Sequence, residues 1–152
     1  MLATSGNILV AESVEVPADA ESIAALHTAL ERFWVAVEQA PVQPPDAAWR
    51  RRFATAVAEI GTNIVRHAYP PGTLPGSVRL QLRAYADRAE AHVTDHGAAF
   101  TPQVELDRVP MPDPFTLPED GFGLAIVRVA VDEVRYCRTP GGENHWQLTK
   151  RL

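Results

Sequence analysis

The sequence predicts an α+β fold, a two-layer sandwich whose largely antiparallel mixed sheet carries its helices on one face. Two observations carry this expectation. Alternating apolar and polar runs come in pairs joined by tight turns, at 77–94 and at 133–152, which implies antiparallel strands. Two longer stretches, 19–39 and 46–69, instead space their apolar residues at threes and fours, the period of helices with one buried face. At 152 residues the chain is long enough for a substantial core and is expected to form one domain, 1–152.

The elements follow in order. Residues 7–16 alternate after Val10 and suit a first strand. Pro17, Ala18 and Asp19 lead into a helix reaching about Gln39, with Ile23, Leu26, Leu30, Phe33 and Val37 on its core face. Prolines at 41, 44 and 45 break the chain, and Asp46 can cap the next helix. That helix should stop near Tyr69, because Pro70, Pro71 and Gly72 follow. A hairpin comes next: Val78, Leu80 and Leu82 alternate with Arg79, Gln81 and Arg83, the chain turns at Asp87 and Arg88, and 89–94 returns. Between Gly97 and Gly121 five prolines (102, 110, 112, 114 and 118) interrupt any periodicity. A loop of that length in a compact domain is usually functional and often a lid, here about 98–120. A short helix at 121–131, a strand at 133–138, a turn at 139–142 and a closing strand at 145–152 complete the chain.

Composition excludes several function classes. A net charge of −5, with Arg50, Arg51 and Arg52 as the only basic run, argues against direct nucleic-acid binding. No apolar run approaches the roughly 18 residues of a membrane span, and no basic leader precedes an apolar stretch, so a cytoplasmic, unprocessed protein is expected. The single cysteine, Cys137, rules out an internal disulfide and reads as a packed strand thiol. His27, His67, His92, His96 and His145 are scattered without zinc-type pairing.

The segment 59–67 is the most informative stretch. Four helical residues advance the chain one turn plus about 40°, so Glu59, Asn63 and His67 share a stripe beside the apolar face of Phe53, Val57, Ile60, Ile64 and Ala68. Alone, such a stripe is most simply a solvated helix side. Two glycine motifs change the reading. Asp95-His96-Gly97 puts a carboxylate at a strand end, where it can accept from an exocyclic amine such as adenine's, with a glycine that lets backbone approach a planar ring. Gly121-Phe122-Gly123-Leu124 opens a helix, whose free N–H groups make a phosphate cradle. Neither a Walker loop nor a Rossmann fingerprint is present.

Together, Glu59-x-x-x-Asn63-x-x-x-His67, Asp95-x-Gly97 and Gly121-x-Gly123-Leu124 resemble the motifs of the GHKL superfamily, the Bergerat or histidine-kinase-like ATPase fold. The nearest likeness is to bacterial anti-sigma factor serine/threonine kinases, and it runs from Val14 to the C-terminal strands. The resemblance implies ATP and Mg²⁺ as cofactors, with Asn63 holding the metal and Glu59 acting as general base toward a serine hydroxyl. It implies that Asp95 and Gly97 receive adenine, that Gly121, Phe122, Gly123 and Leu124 receive phosphates, and that His67 and Asn144 lie along the nucleotide, His67 as a structural hydrogen-bonding group. The implied partners are a sigma factor, which is sequestered, and a STAS-type anti-anti-sigma protein, which is phosphorylated; apolar stretches near the first helix could support a homodimer. Three positions depart from the pattern. Ala99 replaces a glycine, Glu119 and Asp120 precede the phosphate glycines, and Glu143-Asn144-His145 replaces a Gly-Thr, with Asn144 able to supply a comparable hydrogen bond. These changes bear on catalysis more than on fold, and a non-catalytic module that regulates by binding alone is the alternative.

Overall fold

The structure, a computed structural model, describes residues 6–69, 76–100 and 122–152; of His67, Ala68 and Phe122 it describes the backbone alone. Five strands form one sheet: β1 (Val10–Pro17), β2 (Ser77–Ala84), β3 (Arg88–Asp95), β4 (Glu133–Arg138) and β5 (Asn144–Arg151). Their order is β1-β2-β3-β5-β4 and every pairing is antiparallel rather than mixed; the paired alternating runs account for β2 with β3 and β4 with β5.

Side-chain alternation gives the sheet two unlike faces. Val78, Leu80 and Leu82 of β2, Ala91 and Val93 of β3, and Trp146 and Leu148 of β5 share one face and are fully buried. Helices α1 (Ser22–Glu38) and α2 (Ala47–Asn63) cover that face through Leu26, Leu30, Phe33 and Val37 and through Phe53, Val57 and Ile60, in one continuous core. A third helix, α3 (Phe122–Ala130), lies against α2 and adds Val127 to the same core. Each such fully buried aliphatic or aromatic side chain contributes about 1.5–3 kcal/mol.

Two details fix the helix layer. Asp46 caps α2 as expected, accepting from the Trp49 amide at 2.8 Å. Gly61 lets α1 close on α2, since a Cβ there would stand 2.7 Å from Leu26 Cδ1 and 3.2 Å from Ile23 Cδ1. Trp49 stacks on Phe53 while Trp34 meets both rings edge-on between the end of α1 and the start of α2, and Trp49 Nε1 donates to the Arg151 carbonyl at 2.7 Å, tying α2 to the end of β5.

One expectation is refined and one corrected. The helical run ends at Tyr69 as expected, but its last turn, Ile64–Ala68, is π-helical rather than α-helical. Cys137 is exposed rather than packed, because β4 is an edge strand whose outer positions have no covering layer.

The face turned from the helices is polar yet partly buried. Arg88, Glu90 and His92 of β3 are 4–8% exposed. Arg88 Nε donates to Glu90 Oε1 at 2.8 Å, and its guanidinium sits 3.8 Å from the Tyr85 ring centroid. Glu90 Oε2 lies 2.9 Å from His92 Nε2, and His92 Nδ1 lies 3.2 Å from His145 Nε2. Burial of these groups holds only because each has a partner.

Candidate functional site

Asp95 is the last residue of β3 and stands on the helix-covered side, two positions beyond Val93, 1% exposed. A carboxylate so enclosed requires donors. Its Oδ1 accepts from the Gly97 amide at 2.7 Å, which closes the Asp-x-Gly corner, and from Asn144 Nδ2 at 2.9 Å. Among the described residues no hydrogen bond falls on Oδ2, which leaves that oxygen able to accept from a ligand.

Asn144 faces Asp95 because register pairs them across β3 and β5. Its carboxamide is fully engaged: Nδ2 also donates to Ala98 O at 2.9 Å and Gly97 O at 3.3 Å, while Oδ1 accepts from Tyr136 Oη at 2.6 Å and Arg138 Nη1 at 2.7 Å. Asn144 thus acts on Asp95 and the chain that leaves it, and lies within β5 rather than in the preceding turn. That turn uses Gly142 at φ +87°, a conformation glycine adopts without strain.

The helical side of the site comes from α2 and α3. Glu59 and Asn63 lie one turn apart and half-buried at the C-terminal end of α2. Gly123 in the first turn of α3 faces Glu59 so closely that a Cβ there would be 3.1 Å from Oε2. The two motifs that the sequence separates by more than sixty residues therefore meet. Leu124, expected at the phosphates, packs against the hydrophobic core, so its contribution there is confined to backbone.

Tyr69 joins the two sides. Following the π turn, its hydroxyl accepts from the His96 amide at 3.1 Å and donates to the Ser77 carbonyl at 3.4 Å. Burial raises the phenol's pKa above its ordinary value, the His96 amide opposes this, and the nearby Asp95 charge adds to it. The proton therefore stays on Tyr69 at neutral pH, and the end of the α2 segment is pinned to the Asp95 corner.

Gly121, Glu119, Asp120 and all but 98–100 of the expected lid lie outside the described residues, and nothing of the His67 or Phe122 side chain is described. Tyr69, Tyr136 and Arg138 are the site residues that motif reading missed. A signal existed for two of them: a tight turn at 139–142 makes Arg138 and Asn144 partners, and alternation then puts Tyr136 on the same face.

The residues present fit a nucleotide with its metal. Among the described residues no group of three or more His, Cys, Asp or Glu side chains could hold a metal ion. A hard cation that keeps water and phosphate oxygens needs little more than the Asn63 carboxamide oxygen. Asp95 Oδ2 suits an exocyclic amine, and the side-chain-free Gly123 leaves backbone open at a helix start.

Comparison with known proteins identifies the family. Residues 16–150 match the family model described as the histidine kinase-like ATPase domain. The serine-protein kinase RsbW of Bacillus mycoides is 32% identical over 90 residues, covering 57% of this chain and 55% of that protein. RsbW of Halalkalibacterium halodurans is 36% identical over 93 residues, covering 57% and 54%. The chain thus spans about half the length of these curated relatives. The serine/threonine-protein kinase BtrW of Bordetella bronchiseptica is 32% identical over 102 residues, covering 66% of this chain and 70% of its own length. Among solved structures, the RsbU and RsbW domains of Rv1364c from Mycobacterium tuberculosis superpose with a TM-score of 0.65 at 17% identity, over 94% of this chain and 32% of that one. The mycobacterial sensor histidine kinase MprB gives 0.52 at 20% identity, over 93% and 97%. Both likenesses concern the fold.

Proposed function

This chain belongs to the histidine kinase-like ATPase domain family, and we propose that it is an ATP- and Mg²⁺-dependent protein serine/threonine kinase that also sequesters a sigma factor. Its substrate would be a serine of a STAS-type anti-anti-sigma protein, and its place of work the cytoplasm. The observation that carries this reading is the meeting of Glu59 with Gly123, which sets a carboxylate beside a glycine helix start. The kinase names of RsbW and BtrW support the same class of chemistry.

Each residue then has a task. Asp95 Oδ2 accepts from the adenine amine, with Oδ1 held by Gly97 and Asn144 so that the carboxylate does not rotate. Gly97 leaves the ring room. Amides at the start of α3 face the phosphates, and Asn63 offers one oxygen to Mg²⁺, which when bound neutralises charge on the transferring phosphoryl group. Glu59 takes the proton from the serine hydroxyl as that oxygen bonds to phosphorus and ADP departs. The product serine carries about −1.5 to −2 charge, enough to part a close interface and switch partners.

The test is incubation of the protein with Mg-ATP and a STAS-domain antagonist. Serine phosphate should form with wild type and fall by at least about 10²-fold in Glu59→Gln, with ATP affinity retained. Binding without transfer in wild type would favour the non-catalytic module; absence of ATP binding would remove the nucleotide reading.

A further inference from the structure

We propose that Tyr136 and Arg138 are positioning residues for base recognition: together they set the orientation of the Asn144 carboxamide, and through it fix the adenine-facing carboxylate and the root of the lid as one unit. The inference rests on the nucleotide reading given above and adds to it two residues, on an edge strand, that touch no nucleotide atom in that reading.

The argument starts from the amide. An asparagine side chain has one accepting end and one donating end, and rotation by 180° exchanges them. Here the two ends meet opposite demands. Tyr136 Oη and Arg138 Nη1 both donate to Asn144 Oδ1, at 2.6 and 2.7 Å. Asp95 Oδ1 and the Ala98 carbonyl, both acceptors, stand 2.9 Å from Nδ2. The rotated amide would place its oxygen against a carboxylate and a carbonyl and its NH₂ against a guanidinium. Tyr136 and Arg138 therefore hold, together with those acceptors, the orientation in which Asn144 donates to Asp95.

The same two residues also hold the chain that leaves Asp95. Arg138 Nη1 donates to the Gly97 carbonyl at 3.0 Å, and Tyr136 Oη accepts from the Phe100 amide at 2.9 Å. Phe100 in turn packs on Tyr136 and Trp146, with ring centroids 5.4 and 4.8 Å away. Residues 97–100 are thus bound at three carbonyl or amide positions, 97, 98 and 100, to side chains of β4 and β5. Register explains the convergence, since Arg138 pairs with Asn144 and Tyr136 with Trp146. This clamp stands where Ala99 replaces the glycine expected at the lid root. Side-chain bonds from the sheet stabilise a loop start in which that glycine's freedom is missing.

Tyr136→Phe removes both bonds of the hydroxyl and keeps the ring packing. Arg138→Met removes the donors and keeps the length, and Arg138→Lys restores one charged donor. ATP and GTP dissociation constants, measured by calorimetry on the full chain, give the preference for adenine, a ratio that general loosening of the fold does not select. Tyr136→Phe and Arg138→Met should each lower that preference by about five- to tenfold, with Arg138→Lys recovering part of it. Variants that keep the wild-type preference within twofold would overturn the clamp, whatever their melting temperatures. Wild type that binds ATP with no preference over GTP would also overturn it, and wild type that binds no nucleotide would remove the function reading and this inference together.

Discussion

Gly123→Ala separates the two roles that a glycine at a helix start can have. The added methyl would stand 3.1 Å from Glu59 Oε2, whereas ordinary contact begins near 3.4 Å. The shortfall is about 0.3 Å, and the atom that must yield is the end of a flexible, half-buried side chain rather than backbone. Gly123 is not among the glycines with positive φ, so alanine fits its backbone. Alanine is favoured over glycine by about 0.8–1 kcal/mol inside a helix, less at its first turn. Stability should therefore hold or rise, with a shift in Tm between zero and about +3 °C for a chain of this size. Transfer should respond in the other direction. Misplacing a reacting group by 1 Å costs about 10²-fold, so a displacement of a few tenths should slow serine phosphorylation by roughly three- to tenfold. Melting followed by circular dichroism without nucleotide, alongside initial rates of phosphoserine formation, reads both quantities. A Tm lowered by more than about 3 °C would refute the idea that only a movable carboxylate opposes the methyl. An unchanged rate would refute the role given to Glu59's position.

Two further outcomes concern the framework. Gly61→Ala puts a methyl 2.7 Å from Leu26 Cδ1 in the packed seam of α1 and α2, where Leu26 is 1% exposed, so urea denaturation should show a loss of about 1–3 kcal/mol. Burial lowers the His92 pKa below its ordinary 6.5, with the charges of Arg83 and His145 adding to this and Glu90 opposing it. Glu90 is also lowered: burial would raise it, but hydrogen bonds from Arg88 and His92 prevail. In both cases the unfolded chain binds more protons, so stability is complete above the unfolded pKa and lost as pH falls through the folded one. The Tm should decline from about pH 7 toward pH 5, and His92→Asn should flatten the upper part of that decline; a Tm independent of pH in this window would contradict the assigned burial.

The hairpins, the two long helices and the Asp46 cap were legible because their signals are local: alternation, threes and fours, and a capping side chain three residues before its amide. The π turn at 64–68 was not, since Ile64 is buried at the place an α-helix would also bury it. Cys137 was misread because alternation gives a strand's faces and not its place at the sheet edge. His92 and His145 looked scattered, yet β3 and β5 pair across an interval of about fifty residues and bring their rings to 5.4 Å. Within the site, Glu59, Asp95 and Asn144 were legible as types, but not the direction in which Asn144 acts. That depended on which donors the fold places at its oxygen.

Trp146 gives the protein an optical reporter of its own. The indole is 1% exposed and touches both Phe100 and Tyr136, the aromatic anchors of the segment that follows Gly97. The other two tryptophans, Trp34 and Trp49, meet edge-on in the helix layer, where they supply background emission. With both changed to phenylalanine, the remaining fluorophore would register whatever disturbs the anchored segment. Ligand-induced movement there could then be followed in real time without attaching a dye.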